Sequence, residues 1–215
     1  MDKAFYDHIT NHTCMTLIGN GQVTAVPDLA VLRLGVQTNS ENLSEAQYEN
    51  AVISQAVLEG LRQMGVTDIN TFQYTIDKLY DYEDGRRIDR GYSVRNILEI
   101  KTNQMDRVGA LIDTAVANGA NVVDLISFEV SNPDFYYQQA LNLAVLNAIE
   151  KAKSIAFNLG YPTDPIPTNI TENSNAPIPY GQPIALREGA AVTPIEPGNK
   201  QIKASVTVDF VSTGR

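Results

Sequence analysis

The sequence predicts an α+β fold: a mixed, largely antiparallel sheet with packed helices, built as a βαββ–α–βαββ pseudo-repeat preceded by an N-terminal strand. Three observations carry this. Segments with period-2 hydrophobic alternation lie between segments with helical periodicity. Each helical segment closes on a glycine, at Gly65, Gly119 and Gly160. The order strand, helix, strand, strand occurs twice, once from Leu29 and again from Val122.

The elements follow in order. "MTLIGNGQVTAVPDLAVLRLGVQT" reads as two strands, with Pro27-Asp28 as the turn of a hairpin. Gly19 and Gly21 of "GNGQ" open no helix, so they do not form a dinucleotide-binding loop. They mark a bulge or a close backbone approach. "ENLSEAQYENAVISQAVLEGLRQMG" is a helix whose apolar face holds Ala46, Ile53, Val57, Leu61 and Met64. Asn42 with Glu45, or Ser44 with Gln47, are candidates for its capping box.

"INTFQYTIDKLYDY" returns to strand, Asp84-Gly85 forms a hairpin tip, and "RGYSVRNILEIKT" alternates back. Tyr92, Val94, Leu98 and Ile100 share one face of that strand, opposite Arg95, Glu99 and Lys101. A second helix ends at Gly119, and "NVVDLISFEVS" is a strand. Pro133 stands at the first turn of a third helix that runs to Leu159. Leu29 to Ser131 alone is βαββαβ, the ferredoxin-like order.

The first repeat joins its last two strands by a short turn. The second uses a long excursion, from about Glu172 to Asn199, that carries five of the ten prolines. Connections this long inside a compact domain are usually functional or disordered. Pro177, Pro179, Tyr180 and Ile184 make it a candidate assembly arm that docks on a neighbouring subunit; the alternative is a surface loop. Residues 1–13 are expected to be a flexible leader, and 14–215 a single domain.

The third helix places Ala140, Ala144, Ala148, Ala152 and Ala156 four residues apart. A four-residue step drifts about 40° around a helix, so the five trace one slanting ridge. A ridge of small side chains admits a close neighbour. Propensity alone explains many alanines but not their spacing. Asn147, about 100° around the helix from Ala148, reads as a neutral polar position.

These stretches together carry a resemblance. "GNGQVTAVPDLAVLRLGV", "GYSVRN", "VGALIDTAVANGA", "ISFEVSNP", "ALNLAVLNAIEKAKSIAFNLG" and "TPIEPGNKQIKASVTVDF" run in order from about Met15 to Phe210. In that order and spacing the chain resembles the SIMPL-domain family, a bacterial group named after a mammalian signalling adaptor. The resemblance implies relatives that are exported, linked to envelope or oxidative-stress phenotypes, and assembled into large oligomers. It brings no catalytic residues to carry over.

The residues themselves exclude much. A net charge of −9 argues against a nucleic-acid groove, which needs a basic stripe, and against an anionic membrane surface. Cys14 is the one cysteine, so no intrachain disulfide forms. The start lacks the apolar core of a signal peptide, and no run of 18 apolar residues occurs. As written the chain is expected to be cytoplasmic, or periplasmic or secreted if a leader was removed.

His8, His12 and Cys14 have metal-capable side chains but no fourth ligand. Asp81, Glu83 and Asp84 lack the distal carboxylate of a calcium loop. Tyr80, Tyr82, Tyr136 and Tyr137 are expected in sheet and helix-start packing. No nucleophile, base and orienting group can be assembled, so no enzyme activity, metal or cofactor is expected. The expected function is non-enzymatic self-assembly into a homo-oligomer. The alternative is a module that binds a small ligand or a protein in stress or envelope signalling.

Overall fold

The computed structural model describes residues 12–160, 165–173 and 195–213. The elements are β1 (His12–Ala25), β2 (Leu29–Ser40), α1 (Leu43–Gln63), β3 (Asp68–Glu83), β4 (Arg86–Thr102), a 3₁₀ turn (Met105–Arg107), α2 (Val108–Ala117), β5 (Val122–Glu129), α3 (Pro133–Asn158), β6 (Ile166–Glu172) and β7 (Lys200–Thr213). The α+β class is borne out, and so is the order of the elements along the chain. The chain divides into two compact units: a central one built on 27–131, and a terminal one built from both ends of the chain and α3.

In the central unit the strands lie in the order β3-β4-β2-β5, with every pair antiparallel. Leu32, Leu34 and Val36 of β2 and Ile100 of β4 meet Val57 and Leu61 of α1 and Leu111 and Ile112 of α2. Burying each such side chain contributes roughly 1.5–3 kcal/mol. Asn42 caps α1, its side chain accepting from the Ser44 N–H at 2.9 Å. The reciprocal bond of a capping box does not form. Ser40 Oγ accepts from the Asn42 N–H and donates to Glu45 in its place.

Gly65 ends α1 at φ +85°, and the N–H groups of Gly65 and Val66 reach back to the carbonyls of Arg62 and Leu61. At the β3–β4 tip Asp84 and Gly85 have φ 47° and 76°, the two positive angles of a type I′ turn.

In the terminal unit the order is β1-β7-β6, again antiparallel, with α3 packed on β1 and β7. Ala144, Ala148 and Ala152 meet Val206, Val208 and Phe210, flanked by Met15, Leu17, Leu141, Val145 and Ile149.

Three expectations need correction. The strands form two sheets, and all described pairings are antiparallel. The crossover through α1 does leave β2 and β3 running parallel, but β4 lies between them. Second, β1 and β2 are not a hairpin. β1 pairs with β7, from His12↔Thr213 to Ala25↔Lys200. The Pro27-Asp28 segment joins the start of β2 to the end of β5 instead. The Asp28 N–H donates to the Glu129 carbonyl, and the Asp28 carboxylate accepts from both the N–H and the hydroxyl of Ser131 at 2.6 Å. Third, the structural repeat starts its second copy at β1, not β5. β2-α1-β3-β4 gives the sheet order first-third-second strand, and β1-α3-β6-β7 gives the same order.

Candidate functional site

The alanine ridge is fully packed. Ala140, Ala144, Ala148 and Ala152 are 0% exposed and Ala156 is 2% exposed. Gly19 and Gly21 of β1 lie beneath it. A Cβ on Gly19 would overlap the Ala144 carbonyl and come within 2.9 Å of Ala148 Cβ; one on Gly21 would overlap the Ala140 carbonyl and come within 2.6 Å of the Ala144 nitrogen. The helix and strand therefore touch main chain to main chain.

At this distance α3 reaches the free edge of β1. The Asn20 N–H donates to Asn147 Oδ1 at 3.1 Å, and Lys151 Nζ donates to the Ile18 carbonyl at 2.8 Å. Asn147 is thus not a neutral position. These two residues, one turn apart, satisfy one donor and one acceptor of that edge.

The edge of the central sheet is different. β3 is 16 residues long and stands at the end of its sheet. Among the described residues no strand pairs with its outer side. It displays Phe72 at 45% exposure, Tyr74 at 49%, Ile76 at 40%, Tyr80 at 48% and Tyr82 at 68%. Tyr80 and Tyr82 pack edge to face on each other, ring centroids 6.2 Å apart, yet stay largely exposed. Five even-numbered positions suggest one face, but Phe72 is the extra residue of a bulge at Thr71/Gln73; from Gln73 to Glu83 the alternation of β3 is unbroken, since the bulge at Leu79/Tyr80 has its extra residue, Arg90, on β4. Phe72 lies under the Arg33 guanidinium at 3.6 Å, whereas the Tyr74 hydroxyl accepts from Gln47 of α1.

The β2–β4 ladder ends at Ser40↔Tyr92, but β3 and β4 stay paired to Glu83↔Arg86. The last part of the hairpin is therefore a two-stranded ribbon, a form with little stability of its own. Gly91, at φ +90°, marks its base: a Cβ there would overlap Ser40 and Glu41, where the chain leaves β2.

Side chains stiffen the ribbon. Arg90 donates to Asp81 at 3.0 Å and Glu83 at 2.6 Å, Lys78 pairs with Asp89 at 2.6 Å, and Arg87 stacks 4.5 Å over Tyr80. The hydrogen bond between them raises the pKa of Lys78 and lowers that of Asp89. These pairs are exposed, so each contributes little. They also occupy the Asp81 and Glu83 carboxylates at the acidic turn. At the sheet centre the Arg33 hydrogen bond is the main cause holding the Glu99 carboxyl below its ordinary range.

Among the described residues no cluster of His, Cys, Asp or Glu is arranged to hold a metal. A concavity of about 340 Å³ on β1 and β7 is lined by Asn20, Gly21, Gln22, Lys203, Ala204 and Ser205, a set with no nucleophile–base pair. Cys14 is exposed on β1. His8 and the candidate arm residues Pro177, Pro179, Tyr180 and Ile184 lie outside the described residues. Among the described residues no helix is long and apolar enough to cross a membrane.

Comparison with known proteins supplies the family. The SIMPL family model, described as a protein of unknown function (DUF541), matches residues 15–210. The chain is 31% identical over 140 residues to the uncharacterized protein YggE of Escherichia coli K12, covering 64% of this chain and 57% of that one. It is 29% identical over 211 residues to the 26 kDa periplasmic immunogenic protein of Brucella melitensis, covering 91% of this chain and 83% of that one. YggE of Edwardsiella ictaluri is 27% identical over 152 residues, covering 69% and 63%. The match thus spans little more than half the length of the Escherichia coli relative. With the family model covering all but the ends of the sequence, this chain belongs to the SIMPL family.

Proposed function

We propose that this chain is a non-enzymatic, self-assembling protein that works as a homo-oligomer in the cell envelope. The observation that carries the reading is the outer edge of β3: long, unpaired among the described residues, and lined with half-exposed aromatic side chains. Proteins usually blunt such an edge with prolines, charges or a covering element. Two groups of the β1 edge are met by Asn147 and Lys151, whereas β3, which carries Asp77, Lys78, Asp81 and Glu83, has no strand or helix on its outer side among the described residues. An uncovered edge with half-exposed aromatic residues fits a use for it. The periplasmic name of the Brucella relative supports the envelope as its place. Light scattering at micromolar concentration tests the reading. The expected mass is a multiple of 23.5 kDa, and a stable particle of 23.5 kDa overturns it.

A further inference from the structure

We infer that a second copy of this chain adds to the outer edge of β3 in antiparallel register, across a two-fold axis at Ile76, joining two four-stranded sheets into one of eight. The inference rests on the self-assembly reading and names the surface and register that would produce it.

The register follows from the bulges. A ladder needs regular strand on both sides, and the β3–β4 ladder is interrupted at Thr71/Gln73, where Phe72 is the extra residue of β3, and at Leu79/Tyr80, where Arg90 is the extra residue of β4. Between them Gln73–Leu79 pairs without a break to β4, from Gln73↔Ile97 to Leu79↔Gly91. Most of this stretch is also backed by β2, since β4 residues 92–97 pair onward to β2 residues 40–35. It is the stiffest part of the edge, and Ile76 is its midpoint. Any other axis shortens the overlap of this unbroken, mostly β2-backed ladder.

Charge agrees. With the axis at Ile76, Tyr74 faces Lys78, Thr75 faces Asp77 and Gln73 faces Leu79, with no like charges opposed. Moving the axis to Asp77 or Lys78 sets that residue against its own copy, a destabilising arrangement. Within the paired stretch Tyr74 and Ile76, 49% and 40% exposed, are the large side chains that a second copy would cover, and its main-chain bonds supply the rest.

The test uses the full chain carrying Cys14→Ser, so that an introduced cysteine is the only thiol. Facing residues have Cβ atoms about 4.5–5.5 Å apart, within reach of a short thiol-to-thiol crosslinker. Ile76→Cys is expected to give mostly covalent dimer. Tyr74→Cys, whose own copy lies four positions away at roughly 13 Å, is expected to give at least tenfold less. Ile76→Lys opposes two charges on the axis and is expected to weaken assembly at least tenfold. Its melting temperature in dilute solution is expected to match that of the unmodified chain.

If the unmodified protein is oligomeric but Ile76→Cys fails to crosslink in preference to Tyr74→Cys, or Ile76→Lys assembles normally, the β3 register is wrong and self-assembly stands. If the unmodified protein is a monomer at micromolar concentration, both fail.

Discussion

In the terminal unit α3 rests on β1 through alanine and glycine; in the central unit α1 rests on β2 and β4 through Val57, Leu61 and partly buried Ile53 and Met64. The strand order beneath each helix is the same. Bulky side chains line the α1 contact, and one buried polar residue among them reaches the strands' main chain. Asn50 is 0% exposed, and its amide donates to the carbonyls of Val36 and Val94, both at 3.0 Å. Small side chains bring α3 down until Asn147 and Lys151 reach the edge of β1.

The first strand of each repeat is thus closed in a different way, β2 by β5 and β1 by the helix above it. The second strand stands at the sheet edge in both. There β6 is short and carries Pro167, which blunts it, while β3 is long and has no proline.

The sharpest way to break this comparison is a methyl group placed in each helix contact. Gly21→Ala drives a Cβ into the main chain of α3, which cannot yield locally, and is expected to lose about 3 kcal/mol. Gly60→Ala in α1 meets Asn118 Nδ2 at 2.6 Å, the mobile end of a side chain, and gains helix propensity. It is expected to stay within about 1 kcal/mol of the parent. Chemical denaturation of the two variants measures the difference.

Ala148→Leu comes next. It overfills the ridge, at about 1–3 kcal/mol, or a fall of roughly 3–10 °C in melting temperature. The proper control is Ser154→Leu on the exposed side of α3, because Asn147 is engaged with Asn20. It is expected to change stability by less than about 0.5 kcal/mol. Equal shifts in the two would make the four-residue spacing irrelevant to packing.

The smallest effect concerns the Asp28 clasp. Hydrogen bonds from Ser131, its hydroxyl first and its N–H second, hold the Asp28 carboxyl below its ordinary 3.8. A carboxyl with a lowered folded pKa stabilises fully above the unfolded value and loses that contribution as pH falls through the folded one. Asp28→Asn is expected to lose about 1 kcal/mol near neutral pH, at the low end for a charged bond because the site is exposed. The gap from the parent should close well below pH 3.8. A gap that persists in acid would assign the effect to shape and not to charge.

Local chemistry made the elements legible in the sequence. Asp84-Gly85, Gly65, Gly119, Gly160 and Pro133 each stand where the structure turns, ends or begins an element. The division into sheets was not legible, because Pro27-Asp28 looks like any hairpin turn and nothing local says that β1 pairs with a strand some 190 residues away. Asn50 was hidden as well. It sits on the apolar face of α1 between Ala46 and Ile53, and its two acceptors are known only once β2 and β4 are side by side. The β3 edge was missed because alternation shows that a strand has faces, not that it lacks a neighbour, and the bulge at Thr71/Gln73 takes Phe72 out of the alternation of Tyr74, Ile76, Tyr80 and Tyr82.

Residue-resolved amide hydrogen exchange at two protein concentrations tests the central claim most directly, because it compares the open and closed edges in one sample. The outward amides of Gln73–Leu79 should exchange quickly in dilute solution and become protected as concentration rises. The Asn20 amide, held by Asn147, should be protected at both concentrations. Exchange along β3 that does not respond to concentration, in a protein whose mass shows it assembled, would contradict the account.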